Sequence, residues 1–191
     1  MKDTVKESGC ILVAPIDEQD GEAQVEIARE IERVYAIPCK TAPLIQDISF
    51  AFDTHRNQFN STLILKELEA HAPDNVLKVM ALTSSDLFIP ILTYVYGEAQ
   101  LGGRCAIVSS HRLREGIRPG MDYRKIFLCR LVKECIHELG HTFALRHCRD
   151  RSCIMHYGRD VADVDAKSRQ LCRYCGIMLN DELSRMGKGS G

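Results

Sequence analysis

Residues 135–148 read CIHELGHTFALRHC, which puts three histidines and a glutamate within a few positions of a chain that has only seven histidines. His137 and His141 stand four apart. On a helix that offset leaves them about 40° apart around the axis and one turn above each other, so both imidazoles can face one metal ion. Glu138 sits beside them, out of ligand reach but near an open coordination position, where a carboxylate can take a proton from the metal's water. His147 lies past the expected helix end and can fold back as a third nitrogen donor, leaving the fourth place of a tetrahedral zinc ion for water. The competing reading is a helix whose histidines only pack or meet solvent.

Cysteines follow at once. Cys148 and Cys153 form one close pair and Cys172 and Cys175 a second, the pattern of a closed, tetrahedral four-cysteine zinc site that would tie an irregular segment to the last helix. Two disulfides or four buried thiols are the alternatives, and a redox CxxC lacks its usual setting after a strand. Cys10, Cys39, Cys105, Cys129 and Cys135 fall in strand or helix patterns and read as small buried hydrophobes. Met155, in the run CIMHYG at 153–158, is soft enough to pack beneath the zinc ligands or to serve as an ordinary core methionine. Tyr157, two residues on, reads by itself as a packing tyrosine.

With 191 residues, 45% hydrophobic and 27% charged content, the chain fits one domain with a sizeable core. A net charge of −1 without a basic stripe argues against nucleic acid or an anionic membrane as partner. No apolar run approaches the roughly 18–20 residues of a membrane span, and MKDTVKESG lacks the apolar core of a secretory signal. The expectation is a cytoplasmic protein, taken as a monomer.

Apolar runs predict strands at 10–16, 39–44, 76–85, 93–100 and 104–110. A helix carries Ile27, Ala28, Ile31, Val34 and Tyr35 on one face and stops at Pro38, and a second starts at the N-cap Asn60. The long helix, from Asp122 to about Phe143, turns Ile126, Cys129, Leu131, Val132, Cys135 and Ile136 inward and bears His137 and His141 on its last turns. A final helix is expected from about Ser168. Residues 1–9 and 184–191 read as tails, and 148–183 as a C-terminal subdomain around the cysteine site, within a single domain spanning 1–191.

His137, Glu138, His141 and His147, followed by Met155, resemble the metzincin pattern HExxHxxGxxH with its Met-turn. Tyr157 stands where astacin-like metzincins have a tyrosine near the metal, which implies that it helps hold a developing oxyanion. Ala144 departs from it, standing where metzincins have the glycine at which the helix breaks; alanine at φ > 0 costs about 1 kcal/mol or more. The cysteine directly after the third histidine, the CxxxxC and the later CxxC resemble the archaemetzincins, and RNQFNST at 56–62 and YGEAQLGGRCAIVSSHRL at 96–113 look like that family's N-terminal half. The resemblance implies an α/β (α+β) metzincin-like domain: a twisted mixed sheet, two backing helices, the catalytic helix below, and a cleft at an edge strand, placed at 93–100. It also implies two zinc ions per chain, one catalytic and one structural, and zinc-dependent hydrolysis of peptide bonds with Glu138 as general base and a peptide or protein as substrate. The Ala144 departure keeps an alternative open, a zinc-stabilised peptide- or protein-binding module with weak or no peptidase activity, and hydrolysis of a non-peptide amide would use the same site.

Overall fold

The structure, a computed structural model, describes residues 9–17 and 20–188. The tail expected before Gly9 and the last residues 189–191 lie outside the described residues. The chain runs β1 (Cys10–Pro15), α1 (Gly21–Tyr35), β2 (Cys39–Thr41), β3 (Phe52–Asp53), β4 (Gln58–Asn60), α2 (Ser61–His71), β5 (Val76–Thr83) and β6 (Leu87–Phe88). It continues through β7 (Gly97–Ala99), β8 (Cys105–Ser109), α3 (Tyr123–Thr142), α4 (Val161–Ala166) and α5 (Arg173–Lys188).

Strand alternation builds the layers. Ile11, Val13, Met80, Leu82, Ala106 and Val108 join one core cluster, with Ile27, Ile31 and Tyr35 of α1 and Leu131, Val132 and Ile136 of α3. The residues between them (Leu12, Ala14, Val79, Ala81, Cys105, Ile107) join a second cluster with Ile64, Leu65 and Leu68 of α2. The sheet is thus covered on both faces, which is why its strands read as unbroken apolar runs. The two backing helices take opposite faces, and the long helix shares α1's side.

The sheet order is β2-β1-β5-β8-β7, and all neighbours are parallel except the β7–β8 pair. β7 is therefore an antiparallel edge. It is shorter than the sequence implies, because Val95 bridges to Leu87 instead of continuing the ladder. A small second sheet of order β3-β4-β6 braces that rim; its two- and three-residue strands had no sequence signal.

Helix starts follow the expected caps. Asn60 accepts from the N–H groups of Thr62 and Leu63, and Asp122 from that of Lys125. The last helix begins at Arg173, later than expected, since Ser168 N–H donates to Ser152 O and Ile154 N–H to Gln170 O. Those bonds hold 168–170 against 152–154 and keep it out of the helix. At its other end α5 runs to Lys188, past the point where the sequence led us to expect a tail.

Candidate metal centres

The second half of α3 is enclosed on all sides, with residues 130–140 all buried. His137 and His141 project from its last turns, and the helix ends in a Schellman motif. Leu145 N–H donates to Gly140 O at 3.1 Å and Ala144 N–H to His141 O at 2.9 Å, the pairing that closes a helix over a left-handed residue. That residue is Ala144, at φ 60°. It takes up the conformation glycine would supply, and the turn brings His147 to the other two imidazoles.

The geometry suits a metal. The donor nitrogens of His137, His141 and His147 all lie within 4.8 Å of one another, and the Nε2 atoms of His137 and His141 are 3.1 Å apart. Two nitrogens on one tetrahedral zinc stand about 3.3 Å apart. The other ring nitrogens are engaged: His137 Nδ1 meets Ile154 O at 2.8 Å and His141 Nδ1 meets Leu145 O at 2.7 Å. A carbonyl only accepts, so each Nδ1 carries the proton and each Nε2 presents a lone pair. Burial pushes the pKa of all three imidazoles down from the usual histidine value, which keeps them neutral, as ligands must be.

Glu138 lies against the edge strand. A Cβ on Gly97 would meet Glu138 Cγ at 2.6 Å and Ile107 O at 2.7 Å, so the absence of a side chain there makes room for the carboxylate arm. Burial raises the Glu138 pKa well above the usual carboxylate range; Glu134 adds to the rise and the Lys167 ammonium opposes it. Lys167 itself donates to Glu134 at 2.8 Å in a pair that is 1% and 6% exposed. Glu134 and Glu138 line a cleft of about 450 Å³ together with the histidines, β7 and Tyr157. The Tyr157 ring stands 5.1 Å from that of His147, with its side chain partly in solvent.

Met155 is fully buried under the helix. A Cβ on Gly140 would come within 2.5 Å of its sulfur, so glycine in HELGH is what lets the methionine close from below. Gly97, Gly140, Glu134 and Lys167 were not singled out from the sequence. Glu134 alone had a usable signal, one turn before Glu138 on the same helical face.

The four sulfurs of Cys148, Cys153, Cys172 and Cys175 also lie within 4.8 Å of one another. Cys148 Sγ and Cys172 Sγ are 3.7 Å apart, against about 3.8 Å for two thiolates on one zinc and about 2.05 Å for a disulfide. All four thiols are free. Backbone N–H groups already point at sulfur: Cys172 donates to Cys153 Sγ and Cys175 to Cys172 Sγ, and the latter bond draws the Cys172 pKa down. The CxxC does sit at a helix N-terminus, but an irregular segment precedes it rather than a strand, and the second cysteine pair closes around it. The remaining cysteines, Cys10, Cys39, Cys105, Cys129 and Cys135, are buried or half-buried.

A cleft under an antiparallel edge strand, floored by three convergent imidazoles and a glutamate, defines a candidate metallohydrolase. Comparison with known proteins gives the family. The model of peptidase family M54 matches residues 24–181. The archaemetzincin of Methanocaldococcus jannaschii is 36% identical over 174 residues, which cover 90% of this chain and 93% of that protein. The archaemetzincin of Pyrococcus furiosus is 33% identical over 181 residues, 92% and 94% of the two chains. Among solved structures, archaemetzincin from Methanopyrus kandleri superposes with a TM-score of 0.80 at 32% identity, covering 95% of this chain and 99% of that one. A zinc-dependent peptidase from Methanocorpusculum labreanum gives 0.79 at 27% identity, covering 89% and 100%. The chain belongs to peptidase family M54, a family of zinc metallopeptidases. No helix among the described residues is long and apolar enough to cross a membrane.

Proposed function

We propose that this chain is a metzincin-type peptidase that hydrolyses peptide bonds by attack of water, with Glu138 as the proton carrier. The observation that carries the reading is the convergence of one ring nitrogen from each of three imidazoles beside Glu138, under the edge strand β7. Among the described residues β7 pairs only with β8, so its outward backbone groups can add an extended peptide as a further strand and lay a carbonyl across the histidines. A zinc ion held by His137, His141 and His147 would supply Lewis acidity, acidifying a water molecule and polarising the substrate carbonyl.

Glu138 accepts a proton as the water oxygen bonds to the carbonyl carbon, then delivers it to the amine as the C–N bond breaks. The products are a carboxylic acid and an amine, which ionise in solvent, and the Glu138 carboxylate is regenerated. Tyr157 O–H donates toward the oxygen on which negative charge develops. Cys148, Cys153, Cys172 and Cys175 would hold a second zinc ion, which would take no part in the reaction and would keep the segment behind the site in place. Ala144 motivated the alternative of a pure binding module; since it adopts the left-handed turn and His147 reaches its partners, it does not weigh against the enzyme.

The test is Glu138→Gln, which keeps the shape and removes the base. Turnover of a peptide library should fall by about 10²–10⁴-fold while zinc content is unchanged. Undiminished cleavage by that variant overturns the assignment.

A further inference from the structure

A second depression lies on the far side of the third histidine. His147 lines the catalytic cleft, a shallow hollow with Leu101 and Arg146, and then a groove of about 720 Å³ between the 144–150 turn and the start of α5. That one side chain borders all three. Arg146, Arg149 and Arg173 line the groove, and Tyr174 and Met178, 68% and 42% exposed, give it an apolar floor.

The charge of this groove is unanswered. Several guanidinium groups elsewhere are engaged: Arg130 by Asp165, Arg112 by Asp86, Arg169 by Glu26 and Glu30. Arg146, Arg149 and Arg173 have no carboxylate, carbonyl or ring partner among the described residues. The acidic residue of the groove, Asp150, is committed to its own loop, accepting from Ser152 N–H at 2.9 Å and Ser152 Oγ at 2.8 Å. A chain of net charge −1 thus keeps unpaired positive charge in a depression that shares His147 with its candidate active site.

We propose that this groove holds acidic side chains of the polypeptide substrate, so that the enzyme prefers chains carrying aspartate or glutamate a few residues to one side of the bond it cleaves. The identity of the occupant rests on the peptidase reading; the acidic preference rests on the arginines. An extended strand advances about 3.3 Å per residue, so a peptide paired along β7 toward Leu101 enters the groove within a few residues. Arginine forks suit carboxylates, with Tyr174 and Met178 covering the apolar stems. The arginines have one competing role. Four thiolates on a zinc ion carry net negative charge, and Cys148, Cys172 and Cys175 line the same groove, so the guanidinium groups could serve that charge alone.

The experiment uses the zinc-loaded Glu138→Gln protein as a trap and fluorescent peptides of one apolar centre, with Glu-Asp-Glu at the N-terminal end, at the C-terminal end, or Gln-Asn-Gln at both. Affinity is read by anisotropy at low salt and at about 0.5 M salt, and zinc content is measured alongside. One acidic peptide should bind about tenfold tighter than the neutral one, with the advantage lost at high salt. It should also be lost in Arg149→Gln/Arg173→Gln and largely kept in Arg149→Lys/Arg173→Lys, with zinc retained in both. No advantage for either acidic peptide overturns the proposal. So does an advantage that survives the Gln variant, or a Gln variant that loses zinc while its peptide preference stands. A wild type that binds the acidic peptide with this preference yet never cleaves it counts against the peptidase reading and leaves the groove intact.

Discussion

The two candidate metal centres lie side by side and are held by opposite means. The histidine centre is placed by the core: two donors ride a helix whose flanks are buried, and backbone carbonyls orient their rings. The cysteine centre draws on a loop and a helix start, with an isolated bridge between Cys148 and His156 in place of regular structure. Dependence between them runs one way. His137 leans on the carbonyl of Ile154, Gly140 on Met155, and His147 adjoins Cys148, so the loop the cysteines pin is also the wall of the histidine site. A site placed by packing can stand without its ion, whereas one made of loops needs the ion to exist.

The largest effect should come from the loop. Cys175→Ser removes a buried donor, and since structural zinc sites in small domains are worth on the order of 10 kcal/mol, thermal melts should show a deep loss of stability that added zinc does not restore. His137→Ala should abolish turnover yet shift the melting temperature far less. Equal destabilisation by the two would break the asymmetry.

Gly140→Ala forces a Cβ against the Met155 sulfur, and we expect a loss of about 1–3 kcal/mol by denaturant titration. Adding Met155→Ala opens space, so the double variant should cost less than the two single costs summed; strict additivity would show that the methionine does not close on this glycine. A pH series on protein whose histidine site alone is free of metal sharpens the same point. His137 and His141 have folded pKa values below the ordinary histidine value, so the unfolded chain binds protons that the folded one refuses. Stability should be fully present above about pH 6.5 and fall as pH drops below it. Ala144→Gly is the smallest change: relief of the left-handed alanine offsets the greater freedom of the unfolded chain, for a gain of at most about 1 kcal/mol.

Local pattern made the histidine centre readable. The i, i+4 spacing, the Asp122 cap and the apolar face of α3 are all features of one segment, and the helix lies where they put it. What could not be read is non-local. The same periodicity leaves Arg130, Lys133 and Glu134 for the solvent side, yet they are buried, because residues 160–167 cover that side and answer each charge: Arg130 with Asp165, Lys133 with the carbonyls of Val164 and Asp165, and Glu134 with Lys167. Strands as short as β3, β4 and β6 have no period to detect. The Gly140–Met155 contact joins two elements whose approach only the fold decides. The donors of the cysteine centre were legible from spacing alone, but not how its loop supports the neighbouring site.

Zinc content per chain, by elemental analysis of protein purified without chelator or added metal, puts the whole arrangement at risk in one experiment. Wild type, His137→Ala/His141→Ala and Cys153→Ser/Cys175→Ser should hold two, one and no zinc ions, matching two donor clusters of which the cysteine one supports the other. One ion in wild type that only the cysteine substitutions remove would contradict a metal-loaded histidine site, and a cysteine variant that keeps one ion would contradict the one-way dependence.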